Sequence, residues 1–173
     1  LHTGDQADAI EHVLSGQEDL SIAALPERLP KKLRAQTLLQ SPLVFIAPAF
    51  PCAVAEMVSA AEVAWDRIPL ILSERGLARH GAEQWYRQRG LKPNIYAQVS
   101  GHEAIVSMVG LGLGVGVVPE LVVHSSPQRE MVRSLDVQPE LTPFSVGLCV
   151  LEQRLEDPLV KAFWDSARSA PPV

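Results

Sequence analysis

Apolar residues recur along the chain in two rhythms, one helical and one of period two. Over 5–15, Ile10, Val13 and Leu14 share a helical face, with Thr3 or Asp5 as N-cap and Gly16 as the stop. "DLSIAAL" then alternates Leu20, Ile22 and Ala24, the pattern of a short strand. "LRAQTLLQSPLVFIAPAF" reads as one long strand or two broken around Pro42, and the prolines of "APAFPCA" (47–53) mark a connection. Residues 59–67 predict a short helix packed through Val63 and Trp65. "IPLILS" predicts a buried strand ending in the charged loop "SERG". From Leu77 to Arg89, Ala78, Ala82, Trp85 and Tyr86 fall on one helical face, and Gly90 closes it.

The stretch "SGHEAIVSMVGLGLGVGVVPE" (100–120) places glycine at every second position from Gly110 to Gly116. A dinucleotide cradle needs G-x-G-x-x-G opening a helix after a strand, whereas Val115 and Val117 occupy the third-glycine positions here. The order is also reversed, since Ile105, Met108 and Val109 recur at helical spacing before the glycines and "VGVV" follows them. The reading is helix, tight turn with Gly112 or Gly114 left-handed, and a buried strand ended by Pro119. At the front of the same helix, "NIYAQV" (94–99) predicts a strand, and Ser100 with Glu103 has the spacing of a capping box. Backbone N–H groups around Gly101 and His102 then face outward with the helix dipole behind them. That arrangement suits a small carboxylate, beside the plainer reading of an ordinary capped helix.

Beyond this, "SLDVQPELTPF" (134–144) is a second polar, proline-marked connection, and "FSVGLCVL" alternates as a strand. Asp157 and Pro158 start a last helix with Leu159, Phe163 and Trp164 facing in. Strands alternating with helices across two proline-bearing connections predict a two-lobed α/β protein. One lobe takes 1–50 and 145–173, the other 51–144. Ligands of such folds bind in the crevice at the carboxyl ends of strands, where Thr3–Asp5, Ser73–Gly76 and Ser100–His102 are expected to converge.

A 173-residue chain that is 47% hydrophobic and carries a formal net charge of −5 is large enough for a core or two small lobes. The acidic balance argues against this portion binding nucleic acid itself, which needs clustered Lys and Arg. Cys52 and Cys149 are far apart and form no C-x-x-C. They read as small buried residues in a reducing, cytoplasmic setting, not as a metal site. No apolar run reaches the roughly 20 residues of a membrane span, and "LHTGDQADAIEH" is not a signal peptide. A start at Leu1 without Met suggests that an N-terminal part has been removed.

Two segments carry a family resemblance. "TGDQADAIEHVLSGQEDLSIA" and "VSGHEAIVSMVGLGLGVGVVPE" resemble LysR-type transcriptional regulators, the second through its G-x-G-V-x-x-(L/V)-P-E pattern, and "SPLVFIAPAFPC" and "PLVKAFWD" extend the likeness along the whole chain. The resemblance implies a C-terminal effector-binding domain of the two-lobed, type II periplasmic-binding-protein-like fold. By the same resemblance the helix-turn-helix, and the domain's own first strand and helix, are missing from this N-terminally truncated portion. It further implies a small carboxylic-acid effector, an acetohydroxy acid (acetolactate or acetohydroxybutyrate) for the most similar members, and hence control of branched-chain amino-acid biosynthesis. No cofactor is implied. Effector domains of the family pair as homodimers or tetramers, and contact DNA only through the absent N-terminal domain. The ligand residues expected on this basis are Thr3, Ser73, Arg75, Ser100, Gly101 and His102, with closure about Pro48–Pro51 and Glu140–Phe144.

Two other readings compete with a regulator. For an enzyme there is no G-x-S-x-G, no H-E-x-x-H and no ligand cluster among His2, His12, His80, His102 and His124. A solute receptor of a transport system shares the fold, and a helix-turn-helix upstream would separate it from a regulator. The basic run "RLPKKLR" (28–34) reads as solvated surface, and Arg75 or Arg79 as a partner of Glu74 or Glu83.

Overall fold

The computed structural model describes residues 8–169. In chain order the first elements are α1 (Ala9–Ser15), β1 (Leu20–Leu25), β2 (Leu33–Ser41), β3 (Leu43–Pro48), α2 (Ala53–Val58), β4 (Pro69–Ser73) and α3 (Leu77–Gln88). β5 (Asn94–Val99), α4 (His102–Gly110), β6 (Val115–Pro119), α5 (Glu120–Ser125), β7 (Val132–Leu135), β8 (Phe144–Leu151) and α6 (Pro158–Ser169) follow. The chain divides into two compact units. One holds the residues up to Ser41 and again from Pro143, the other Pro42–Thr142.

In the first unit β8 runs antiparallel between β1 and β2. The helix expected near 5–15 is α1, and Gly16, at φ +76°, ends it by donating its N–H to Val13 O. α1 buries Val13 against Ala23, Leu33, Cys149 and Leu151. This fixes the face of β1 that looks inward, so Ala23 is buried while Ile22, of the alternating apolar set, is 61% exposed. Asp157 Oδ1 caps α6 by accepting from the N–H groups of Leu159 and Val160 at 2.9 and 3.4 Å. The face turned inward carries Val160, not Leu159 and Phe163, which are 83% and 55% exposed. Leu159 and Phe163 are four residues apart, so both move outward together when the stripe one residue further round packs.

The second unit has a five-stranded sheet in the order β5-β4-β6-β3-β7. β4 is parallel to β5 and β6, and β3 is antiparallel to β6 and β7. Residues 43–48 therefore belong to this sheet, because β3 pairs with β6 and β7, and the chain changes unit at Pro42, where a strand break is expected, rather than at the 47–53 connection that ends the expected 1–50 lobe. All five residues of β6 are buried, and four of the five of β4, which accounts for their unbroken apolar sequence. One core joins Ile46, Ile71 and Val118 to Ile105, Val106 and Val109 of α4. Gly116 permits that approach, because a Cβ there would lie 2.4 Å from Ile105 Cγ2. Phe45, Trp65, Trp85 and Tyr86 form a second, aromatic group, with ring centroids of neighbouring pairs about 5 Å apart.

Several expectations change here. The short helix lies at Ala53–Val58, not 59–67, and Trp65 is buried from an irregular segment. The polar stretch after Ser134 begins inside β7, a four-residue edge strand in which only Val132 is buried. α5 follows directly on Pro119. The turn at Gly112 has φ +81°, as the glycine spacing predicts. Both cysteines are free, yet only Cys149 is buried.

Candidate functional site

β4 and β5 are parallel neighbours, so their carboxyl ends lie side by side. Ser73 is in register with Val99, and Glu74 N–H donates to Val99 O at 3.1 Å. From β4 the chain moves through α3 to β5. It then returns through α4 to β6 on the far side of β4, so the direction of winding reverses at β4. A reversal of this kind leaves a gap between the loops at the strand ends, where α/β sheets bind ligands. The loop Ser73–Gly76 and the segment Ser100–His102 border it.

Ser73 is the least ordinary group there. Its residue is buried, and Oγ has no hydrogen-bond partner among the described residues. By the period of a strand it lies on the same face as Ile71, which packs in the core of α4. The hydroxyl therefore looks toward the face that carries α4, at the strand end where that helix begins.

The start of α4 differs from a capping box. Gly101, not Ser100, is the N-cap, with φ +81° and ψ 136° and no side-chain hydrogen bond to the helix. Ser100 Oγ donates instead to Glu74 Oε2 at 3.0 Å, and Glu103 Oε2 lies 3.7 Å from where a Cβ on Gly101 would be. The neighbouring strand end offers Ser100 a carboxylate acceptor, and the pair forms in place of the local cap. Positive φ makes Gly101 the residue suited to the position.

Arg79 has a structural task. It pairs with Glu83 at 2.8 Å, donates to Ser73 O and Glu74 O at 3.2 Å each, and also bonds Gln98 Oε1. One guanidinium thus fastens the loop after β4 to both α3 and β5. The expected pairing with Glu83 is present, and Arg79 is occupied as a brace. Arg75 is exposed on the loop, and His102, the first residue of α4, is half-buried. Ser73, Arg75, Ser100, Gly101 and His102 are thus brought to neighbouring strand ends. Thr3 lies outside the described residues. Spacing alone missed the Glu74 acceptor and the Gln98 contact, because both depend on β4 and β5 being adjacent. The Arg79–Glu83 spacing of four was the one readable signal. Among the described residues no group of three or more His, Cys, Asp or Glu could hold a metal ion, and no helix is long and apolar enough to cross a membrane.

Comparison with known proteins bears on the family and the fold. A family described as LysR substrate binding domain matches residues 1–171. The chain is 45% identical over 167 residues to the HTH-type transcriptional regulator IlvY of Escherichia coli, covering 95% of this chain and 56% of that protein. The chain thus spans a little over half the length of the curated relatives it matches. In fold it resembles the regulatory domain of Synechocystis CcmR in complex with 2-PG (TM-score 0.77, 19% identity, 95% of this chain and 79% of that one). It also resembles the effector-binding domain of QuiR in complex with shikimate (TM-score 0.76, 20% identity, 95% and 77%). The fold is the type II periplasmic-binding-like fold of these effector domains.

Proposed function

The chain belongs to the LysR substrate-binding domain family, and from that premise we propose that it senses a small hydroxy acid of the acetohydroxy class for a transcriptional regulator of branched-chain amino-acid biosynthesis. The observation that carries the ligand reading is Ser73 Oγ, buried and unpartnered at the strand end beside the start of α4. A 2-acyl-2-hydroxy carboxylate matches both features. Its carboxylate accepts from N–H groups at Gly101–His102, and its hydroxyl or keto oxygen meets Ser73 Oγ. The Glu74 carboxylate is already engaged by the Ser100 hydroxyl. The chain performs no reaction in this reading. The ligand biases a conformational equilibrium through its differential affinity for the two states. DNA contact, and part of the pairing of subunits, would fall to regions that the longer relatives possess and this acidic chain does not include.

Calorimetric titration with acetolactate tests this, with 2-methyl-3-oxobutanoate, which lacks only the hydroxyl, as comparator. Acetolactate should bind saturably and roughly tenfold more tightly than the comparator, the cost of one lost hydrogen bond. It should also shift the backbone amide resonances of His102, Glu103 and Glu74. Absence of binding, or binding that leaves those amides unmoved, overturns the proposal.

A further inference from the structure

The second unit carries an open cavity of about 460 Å³ beside its aromatic group, and its lining shares no residue with the Ser73–His102 site. We propose that it is a second ligand site, taking a zwitterionic α-amino acid with an apolar side chain. Its size falls within the about 300–1,000 Å³ of small-molecule sites.

The cavity has a rigid floor and an aliphatic rim. Val58 and Val63, both half-buried, supply the aliphatic surface. Trp65 and Trp85 lock against Phe45 and each other at centroid separations of 5.1, 4.9 and 5.0 Å. The Trp85 indole N–H donates to Pro139 O at 2.7 Å. A wall fixed in this way loses little freedom when a side chain packs on it.

Both signs of charge line the same cavity. Arg89 is set by two contacts, its guanidinium 4.8 Å from the centre of the Trp85 ring and one N–H donating to Gln138 O. A guanidinium has five N–H donors, and Gln138 O is its one acceptor among the described residues, so donors remain for a carboxylate. Glu62 and Asp136 are exposed at the lining and take part in no hydrogen bond or ion pair among the described residues. They suit an ammonium group. A simple amine would have to sit beside Arg89, and a simple carboxylate beside two acids. A zwitterion with an apolar side chain meets each group with its opposite and places its hydrocarbon against Val58 and Val63 above the tryptophan floor.

The proposal does not rest on the reading of the α4 site. L-leucine, 3-methylbutylamine and 4-methylpentanoate share one hydrocarbon body, so titrating each while following tryptophan fluorescence separates the contributions of the two charges. Leucine should bind saturably and the two analogues at least roughly tenfold more weakly, one charge-assisted hydrogen bond each. The double variant Glu62→Gln/Asp136→Asn should keep its melting temperature and lose roughly tenfold in leucine affinity. Ser73→Ala should leave leucine binding unchanged. No saturable leucine binding, equal binding of all three compounds, or unchanged affinity in the double variant overturns the proposal. So does loss of the leucine response in Ser73→Ala, which would place the ligand at the other site.

Discussion

Replacing Ser73 by alanine should move folding stability and ligand affinity in opposite directions. The hydroxyl is buried and has no partner among the described residues, a state that costs about 1–3 kcal/mol for a neutral group. Alanine keeps the Cβ that packs at the end of β4 and deletes only the oxygen, so the small loss of contact offsets part of the gain. The net expectation is a rise of about 1 kcal/mol in unfolding free energy. For a chain of this length that corresponds to roughly 2–4 °C in melting temperature. Binding moves the other way. If the hydroxyl meets a neutral oxygen of the effector, its removal costs about 0.5–1.5 kcal/mol, or roughly two- to tenfold in affinity for acetolactate. Urea unfolding followed by circular dichroism and by tryptophan fluorescence gives the first quantity. Two probes are needed because a chain of two units can depart from two-state behaviour. Calorimetry gives the second. A loss of stability exceeding about 1 kcal/mol would show that Oγ is paired in the folded protein, for instance through a buried water, and is not held open for a ligand. A gain in stability with unchanged affinity would remove Ser73 from the binding site.

Two further outcomes follow from the backbone and from burial. Gly101→Val should cost about 1–3 kcal/mol in urea unfolding, because φ is +81° there, although the nearest atom to a new Cβ is 3.7 Å away. A loss below about 0.5 kcal/mol would mean that the segment rearranges without strain. Burial pushes the Cys149 thiol from its ordinary 9.0 up to about 11. Burial, then the nearby Asp66 carboxylate, also raises the Tyr86 hydroxyl well above its ordinary range. Both groups stay neutral in the folded protein while the unfolded chain ionises. Stability should therefore be full below about pH 9 and fall as the pH rises toward 11, and Cys149→Ala should flatten part of that slope. A urea midpoint independent of pH across this range would contradict the burial of both groups.

Where structure follows from chemistry a few residues away, the sequence was legible. The face of α3, the left-handed Gly112 and the Asp157 cap each depend on neighbours within about one helical turn. The errors arise where a distant partner competes. Ser100 and Glu103 have the spacing of a capping box, but parallel pairing of β4 with β5 brings Glu74 within 3.0 Å of Ser100 Oγ. Trp65 suggested a helix because it is apolar. It is buried by the rings of Phe45 and Trp85, and its own segment has no regular structure. On α6, Leu159 and Phe163 make as good a stripe as Val160 and Trp164, and the choice is made by the packing of α6 on the sheet, where Gln36 Nε2 donates to Trp164 O at 2.7 Å. The candidate site divides the same way. Its segments could be read from strand ends and glycines, whereas the unpartnered state of Ser73 emerges only from the assembled sheet.

Independence of the two proposed sites can be measured through stability. The body of α4 is fixed whatever happens at its start, since Ile105, Val106 and Val109 are fully buried and Gly112 N–H closes the far end on Val109 O at 2.9 Å. Arg79 likewise fastens the loop after β4 without help from a ligand. A ligand filling the gap therefore adds its binding energy to a frame already formed, stabilising the folded state by RT ln(1 + [L]/Kd). At one hundred times its dissociation constant that is about 2.7 kcal/mol. Leucine in the aromatic cavity should act by the same relation through Arg89, Glu62 and Asp136. Sites with no shared lining residue should contribute additively within about 0.3–0.5 kcal/mol. Urea unfolding with acetolactate, with leucine and with both, each near saturation, reads the sum directly. Stabilisation by both together equal to that of the stronger ligand alone would mean competition for one site, and a second site would then be refuted.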